Sequence, residues 1–98
     1  MKRILWWMVA GTKGGVNRAR IIMALRERPY NAHQLTELLK LDYSTIRFHL
    51  NLMIKNQIVV MQGGGYGSMY FLSDRMDASY GDFMEIIETL DMKSQEVQ

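Results

Sequence analysis

From Val16 to Lys55, apolar positions recur every three or four residues, the period of an amphipathic helix, with turn-forming residues between the runs. Val16, Ala19, Ile22 and Leu25 predict a helix over 16–28. Pro29 ends it, because the residue before a proline is biased away from helical backbone. Asn31 is a good N-cap, and Gln34 follows three residues later as in a capping box; Tyr30 and Leu35 are placed for a hydrophobic staple. This second helix runs to about Lys40 with Leu35, Leu38 and Leu39 inward. After a short turn, Asp42 caps a third helix whose stripe is Ile46, Leu50, Met53 and Ile54, and which ends near Asn56-Gln57 with asparagine as the terminator. The pattern then changes. Ile58–Gln62 and Ser68–Leu72 are β-prone runs around Gly63–Gly67, which predicts a hairpin. A last helix is expected over 77–91, with Met76 at its edge. Met76, Tyr80, Phe83, Ile87 and Leu90 fall at spacings of 4, 3, 4 and 3, a seam of two heptads. Gly81 weakens that helix by about 1 kcal/mol. Residues 2–10 fit a helix or a strand; the adjacent Trp6 and Trp7 cannot share one face of a strand, which favours a helix.

Length and composition narrow the choices. The 98 residues make one domain, divided into an N-terminal helix and glycine-rich loop (1–15), a body (16–73) and a C-terminal helix and tail (74–98). Hydrophobic residues at 48% and charged residues at 22% exclude a chain that is mainly disordered. Absence of cysteine excludes disulfides, thiolate metal sites and a cysteine nucleophile, and makes the cytoplasm the expected compartment. Ile4–Ala10 is far shorter than the roughly 20 residues of a membrane-spanning helix. Its position after Lys2 and Arg3 resembles a signal peptide, but Gly11-Thr12-Lys13 offers no good cleavage site, so the run belongs to the fold.

The net charge of +2 conceals an asymmetry: residues 1–73 carry +7 and residues 74–98 carry −5. A basic body points to a polyanionic partner, and an acidic end segment to another task.

Helix, short helix, tight turn, helix and hairpin is the order of an α+β winged helix-turn-helix: a three-helix core and a β-hairpin wing, here with flanking N- and C-terminal helices. At about 100° per residue, Ser44, Arg47, Phe48, Asn51 and Lys55 lie on the arc opposite the core stripe of the third helix. That arc has donors, an aromatic ring and no acid. Arginine forks onto guanine, asparagine pairs with adenine, and an exposed Phe48 meets a thymine methyl, or else packs under the wing. Ser44 reaches a base edge or phosphate and Lys55 a phosphate. The wing contributes backbone amides and Tyr66, with no lysine or arginine from Gly63 to Gly67.

Residues 16–73 resemble the winged helix-turn-helix of ArsR-like transcriptional regulators. Four segments carry the likeness: Arg-Ala-Arg-Ile-Ile-Met-Ala-Leu (18–25), Asn-Ala-His-Gln-Leu-Thr-Glu-Leu-Leu (31–39), Asp-Tyr-Ser-Thr-Ile-Arg-Phe-His-Leu-Asn-Leu-Met (42–53) and Asn-Gln-Ile-Val-Val (56–60). The lead Gly-Thr-Lys-Gly-Gly-Val-Asn-Arg (11–18) and Pro-Tyr-Asn-Ala (29–32) are similar to an archaeal-type branch. The resemblance implies a homodimer on operator DNA. It matches at Ser44, Thr45, Arg47, His49 and Leu50, and carries the recognition role to Ser44 and Arg47. Metal sensing is not implied, because the cysteine ligands of the sensing members are missing.

Other signals point away from chemistry. Lys13-Gly14-Gly15-Val16 resembles a phosphate loop, but Asn17-Arg18-Ala19 stands where the second lysine should follow. His49, at the edge of a core stripe, reads as a packed or hydrogen-bonded residue, and His33 as a solvent- or phosphate-facing one. No nucleophile–base–orienter set is visible, so an enzyme, a cofactor and a metal are not expected. The nine methionines read as core filler. The functional expectation is a homodimeric, sequence-specific regulator of double-stranded DNA. Its operator, its effector, and whether it represses or activates are open. Its dimer interface is drawn from Trp6, Trp7, Met76, Tyr80, Phe83, Ile87 and Leu90. The alternative is a winged-helix protein-interaction module of a larger assembly; a non-catalytic enzyme subunit ranks below both.

Overall fold

The computed structural model describes residues 1–97, except the side chains of Tyr66 and residues 92–97. Helix α1 (Lys2–Trp6) runs into a π-helical turn (Trp7–Gly11), followed by α2 (Gly15–Glu27), β1 (Tyr30–Asn31), α3 (Ala32–Leu39) and α4 (Tyr43–Lys55). The wing is β2 (Val59–Gln62) and β3 (Met69–Leu72), joined through a 3₁₀ turn at Gly65–Gly67. Helices α5 (Asp74–Ala78) and α6 (Tyr80–Val97) complete the chain. The N-terminal segment is thus helical. The winged helix-turn-helix expected from element order is the fold observed.

The capping box at α3 forms in full: Asn31 Oδ1 accepts from the Gln34 backbone N–H at 2.7 Å, and Gln34 Oε1 accepts from the Asn31 N–H at 2.9 Å. Asp42 occupies the N-cap position of α4, yet its side chain makes no capping bond. The α4 terminus also differs from expectation. Asn56 is the C-cap, and Gln57 carries the left-handed backbone with φ 63°.

The wing is part of a three-stranded antiparallel sheet in the order β1-β3-β2, with Tyr30 opposite Tyr70 and Val59 opposite Leu72. The third strand is absent from the hydropathy pattern because two residues cannot display alternation.

The core is shared by every helix from α1 to α6. Leu5, Met8, Ile21, Ile22, Leu35, Ile46, Leu50, Met53, Ile58, Met76 and Phe83 are each fully buried. In α2 the buried stripe is Gly15, Arg18, Ala19, Ile22 and Leu25, with Ile21 beside it. Val16, expected inside, is 75% exposed; the inner position one turn above Gly15 belongs to Arg18, 1% exposed. Leu38 is likewise on the surface and not on the inner face of α3. Among the described residues no buried polar side-chain atom lacks a hydrogen-bond partner.

The last helix begins earlier than its apolar spacing suggests and is broken. Ser73 caps α5 by accepting from the Met76 N–H at 3.0 Å, and donates its hydroxyl to the Gln57 carbonyl at 2.7 Å. Ser79 leaves helical geometry, and α6 restarts at Tyr80. The break lets Met76 and Phe83 both enter the core.

Candidate nucleic-acid interface

Helix α4 buries Ile46, His49, Leu50 and Met53 and turns the opposite arc outward. Ser44, Phe48, Asn51 and Lys55 are exposed and Arg47 is half-buried. Phe48 is 63% exposed, so it does not pack under the wing. It stands edge-on against the His49 ring, with centroids 5.4 Å apart and planes at 70°. The ring is thus in edge contact with a buried neighbour while most of its own surface faces solvent.

Arg47 is not a free fork. Its Nη1–H donates to Tyr70 Oη at 3.4 Å, which inclines the guanidinium toward the wing sheet. Tyr70 itself is buried. The two residues form one wall of a cleft of about 370 Å³, completed by Asn31, Ala32, His33, Tyr43, Gly65 and Ser68. Sequence reasoning missed Tyr43, which is exposed in the first turn of α4, and Tyr70, which lies in what looked like a plain strand. Their signal was tyrosine at the start of the third helix and again in the second wing strand. The wing tip turns through Gly63 and Gly65, both at positive φ, and Ser68 Oγ donates to the Gly65 carbonyl at 3.0 Å. The side chain of Tyr66, a candidate contact, lies outside the described residues.

Behind α4 is a polar cluster that the apolar pattern did not reveal. The Arg18 guanidinium donates to the Met8 carbonyl at 2.7 Å, the Lys13 carbonyl at 3.0 Å, the Thr12 hydroxyl, and His49 Nδ1 at 3.2 Å. Since arginine only donates, Nδ1 of His49 is unprotonated and its hydrogen resides on Nε2. Burial, and then the neighbouring Arg18 charge, hold the His49 pKa below its ordinary value. His49 is thus hydrogen-bonded inside the fold, and Gly14 and Gly15 of the phosphate-loop-like run serve packing. A Cβ on Gly14 would stand 2.8 Å from His49 Cε1.

The basic excess of the body is partly consumed internally. Arg18 is buried, Arg20 donates to the Leu39 carbonyl at 2.7 Å, Arg26 pairs with Asp77 at 3.1 Å and Lys2 with Glu85 at 3.2 Å. The acidic end segment therefore folds back onto the body. The residues expected at a dimer interface divide accordingly. Met76 and Phe83 are fully buried in the chain's own core and offer no surface to a second copy. Trp6, Tyr80, Ile87 and Leu90 are half-buried, and Trp7 is 49% exposed. Ile4 and Met84 add apolar surface nearby on α1 and α6, which pack on each other.

Among the described residues no group of three histidine, aspartate or glutamate side chains is placed to hold a metal ion. Among them, too, no helix is long and apolar enough to cross a membrane.

Residues 15–59 match a family model described as "Bacterial regulatory protein, arsR family". No curated protein matches the sequence. Among solved structures, the chain is similar to the reduced form of the transcriptional regulator YodB from B. subtilis, at 20% identity and TM-score 0.69, over 87% of this chain and 84% of that one. It is similar to Staphylococcus aureus MarR in complex with salicylate and kanamycin, at 12% identity and TM-score 0.66, over 84% of this chain and 57% of MarR. It is also similar to the adhesin competence repressor AdcR from Streptococcus pyogenes, at 13% identity and TM-score 0.60, over 83% of this chain and 63% of AdcR. The chain thus spans less than two thirds of the length of AdcR and MarR. The fold is that of winged-helix regulators. An archaeal-type branch finds no support in these likenesses.

Proposed function

We propose that this chain is a transcriptional regulator that binds double-stranded DNA by sequence, as a cytoplasmic homodimer, with no chemistry of its own. The observation that carries the reading is the outer arc of α4. Ser44, Arg47, Phe48, Asn51 and Lys55 project from a helix whose other face is locked into the core, and no carboxylate lies among them. A solvated helix face usually carries glutamates; an arc of donors and an apolar ring without acids suits a groove walled by phosphates. The match of residues 15–59 to a regulator family supports it.

Geometry refines the roles. Phe48 and Asn51, in the middle of α4, face bases. Lys55 meets phosphate. Arg47, inclined toward Tyr70, works at the junction of recognition helix and wing, where the backbone passes. The dimer joins the α1–α6 surfaces through Ile4, Trp7, Met84, Ile87 and Leu90, so that two copies of one patch meet across a two-fold axis.

Selection of binding sites from a pool of random duplexes tests the reading. An enriched motif, bound with an affinity that falls steeply with salt, supports it. One observation favours a protein-interaction module instead: the wing carries no cation from Gly63 to Gly67, beside exposed Tyr43, Phe48 and Met61. Absence of enrichment, with salt-insensitive behaviour, would decide for that module.

A further inference from the structure

Arg18 is an unusual core residue. It is buried, and among the described residues it makes no salt bridge; each of its acceptors is neutral. Those acceptors belong to three separate pieces of the chain: the π-helical turn through Met8, the loop through Thr12 and Lys13, and α4 through His49. A buried guanidinium keeps its charge, so its neighbours must supply lone pairs. The loop is built around this need. Thr12 passes a hydrogen bond on to the Trp7 carbonyl at 3.0 Å. Gly14, at φ 87°, brings the chain over His49, and Gly15 lies so close to Val9 that a Cβ would stand 2.1 Å from its carbonyl oxygen. Gly-Thr-Lys-Gly-Gly-Val-Asn-Arg is therefore a clamp on one arginine. The far end of that arginine touches the helix that carries Phe48 and Asn51.

We propose that Arg18 is a positioning residue for DNA reading: through His49 it joins the N-terminal π-turn to α4, and α4 presents its outer arc correctly only while His49 is neutral. Protonated His49 has no lone pair for Arg18 and sets a second cation against it. The groups around His49 leave no relief. Arg18 faces it from α2, Gly14 covers it from the loop and Phe48 adjoins it on α4, and no acid is among them. Arg18 is the charged group that acts on it. The His49 ring must then move, and Phe48, which leans on it, moves with it. The π-turn and α1, where the proposed dimer surface lies, lose their tie to the recognition helix.

This proposal rests on the DNA reading, and one experiment separates the two. A duplex selected by the parent protein from random sequence is titrated from about pH 7.5 to pH 5 with parent and with His49→Asn, whose amide oxygen keeps an acceptor near Nδ1 but takes no proton. Random duplex is measured alongside. Parent affinity for the selected duplex is expected to fall as pH drops below the ordinary histidine value of 6.5 and toward the lower folded one, approaching tenfold per pH unit as one proton is taken up. His49→Asn retains His33 and every carboxylate, and should hold its affinity. Random duplex should show no such difference between the two proteins. Equal pH profiles for parent and variant on a selected duplex overturn the proposal and leave the DNA reading standing. A parent that selects no duplex overturns both. Should His49→Asn fail to fold, the parent decides by NMR: amides of Met8, Val9, Phe48 and Asn51 must shift together at the His49 midpoint, and independent movement sinks the coupling.

Discussion

Gly15 and Val9 are in backbone contact: a Cβ built on Gly15 would lie 2.1 Å from the Val9 carbonyl oxygen and 2.7 Å from the carbonyl carbon. The first turn of α2 therefore rests directly on the π-turn, and no side chain can relax to make room. Gly15→Ala must push one backbone off the other and is expected to cost about 3 kcal/mol or more, as overpacking of a fixed core does. Gly81 is the contrast. It is an exposed helical residue of α6 with nothing within 4 Å of its virtual Cβ. Gly81→Ala should stabilise by about 0.5–1 kcal/mol. Urea denaturation of the two variants checks both signs; a neutral Gly15→Ala would mean that the π-turn is not packed as described.

Asn31 supplies a second prediction. Its side chain and that of Gln34 satisfy two backbone N–H groups at the start of α3. Asn31→Ala should destabilise by about 1 kcal/mol, and Asn31→Ser or Asn31→Asp by much less. Equal losses for alanine and serine would show that packing of Tyr30 beside it, and not the cap, carries the effect.

These two sites mark what was legible in the sequence. Ile46, Leu50 and Met53 repeat at helical spacing, and the cap chemistry of Asn31 and Gln34 is local, so α3, α4 and the turn between them could be placed from the letters. The outer arc of α4 followed by geometry. Val16 was expected inside and Arg18 is found there instead, for a physical reason: a hydropathy stripe assumes that charges face water, whereas Arg18 is held inside by lone pairs from three segments. Those acceptors, the Met8 and Lys13 carbonyls and His49, are far apart in sequence or are backbone atoms, and no residue pattern announces them. The break at Ser79 was hidden because Met76, Tyr80 and Phe83 keep heptad spacing across it. Strand β1 was hidden because its pairing partner, Tyr70, is forty residues away.

Stability should depend on pH through His49. Its folded pKa lies below the ordinary value of 6.5, so the unfolded chain binds a proton that the folded one resists. The contribution is fully present above pH 6.5 and is lost progressively as pH falls through it toward the folded pKa. The melting temperature of the parent should therefore fall on acidification from pH 7.5 to about pH 5.5 more than that of His49→Asn. Parallel curves would show that protonated His49 is accommodated in the fold.

On the outer arc, the roles of Arg47, Phe48 and Lys55 are separable. Lys55→Ala should weaken all duplexes alike and lower the salt dependence by about one phosphate contact. Phe48→Ala should cost about 1 kcal/mol on a selected duplex, the scale of one buried methyl contact, and little on random DNA. If Phe48 meets a thymine methyl, replacing that thymine by uracil weakens the parent and leaves Phe48→Ala unchanged. Tyr70→Phe removes the hydroxyl that accepts from Arg47 and should reproduce part of the Arg47→Ala loss. An Arg47→Ala protein that binds its selected duplex as tightly as the parent would remove the junction of α4 and wing from the interface.

Phe83 and Met76 belong to the core, so a polar substitution at either would destabilise the fold and confound a test of association. Apolar surface remains at Ile4, Trp6 and Trp7 at one end and at Tyr80, Met84, Ile87 and Leu90 on α6, of which Ile4, Trp7 and Met84 are the exposed members. A half-exposed tryptophan beside partly exposed aliphatic side chains is an anchor of the kind that interfaces bury near their centre. The ion pairs Lys2–Glu85 and Arg26–Asp77 are surface pairs worth at most about 1 kcal/mol each. They orient α1 and α6 without supplying the association energy, which must come from the apolar groups. Light scattering of the parent should give twice 11.4 kDa. Trp7→Glu combined with Ile87→Glu should give 11.4 kDa with an unchanged far-ultraviolet circular dichroism spectrum, since neither side chain is fully buried. The monomeric variant should also lose affinity for a two-half-site duplex far more than for a single half-site, because only the dimer engages both. A parent mass of 11.4 kDa, or a dimer indifferent to both substitutions, would place the two-fold contact elsewhere or abolish it.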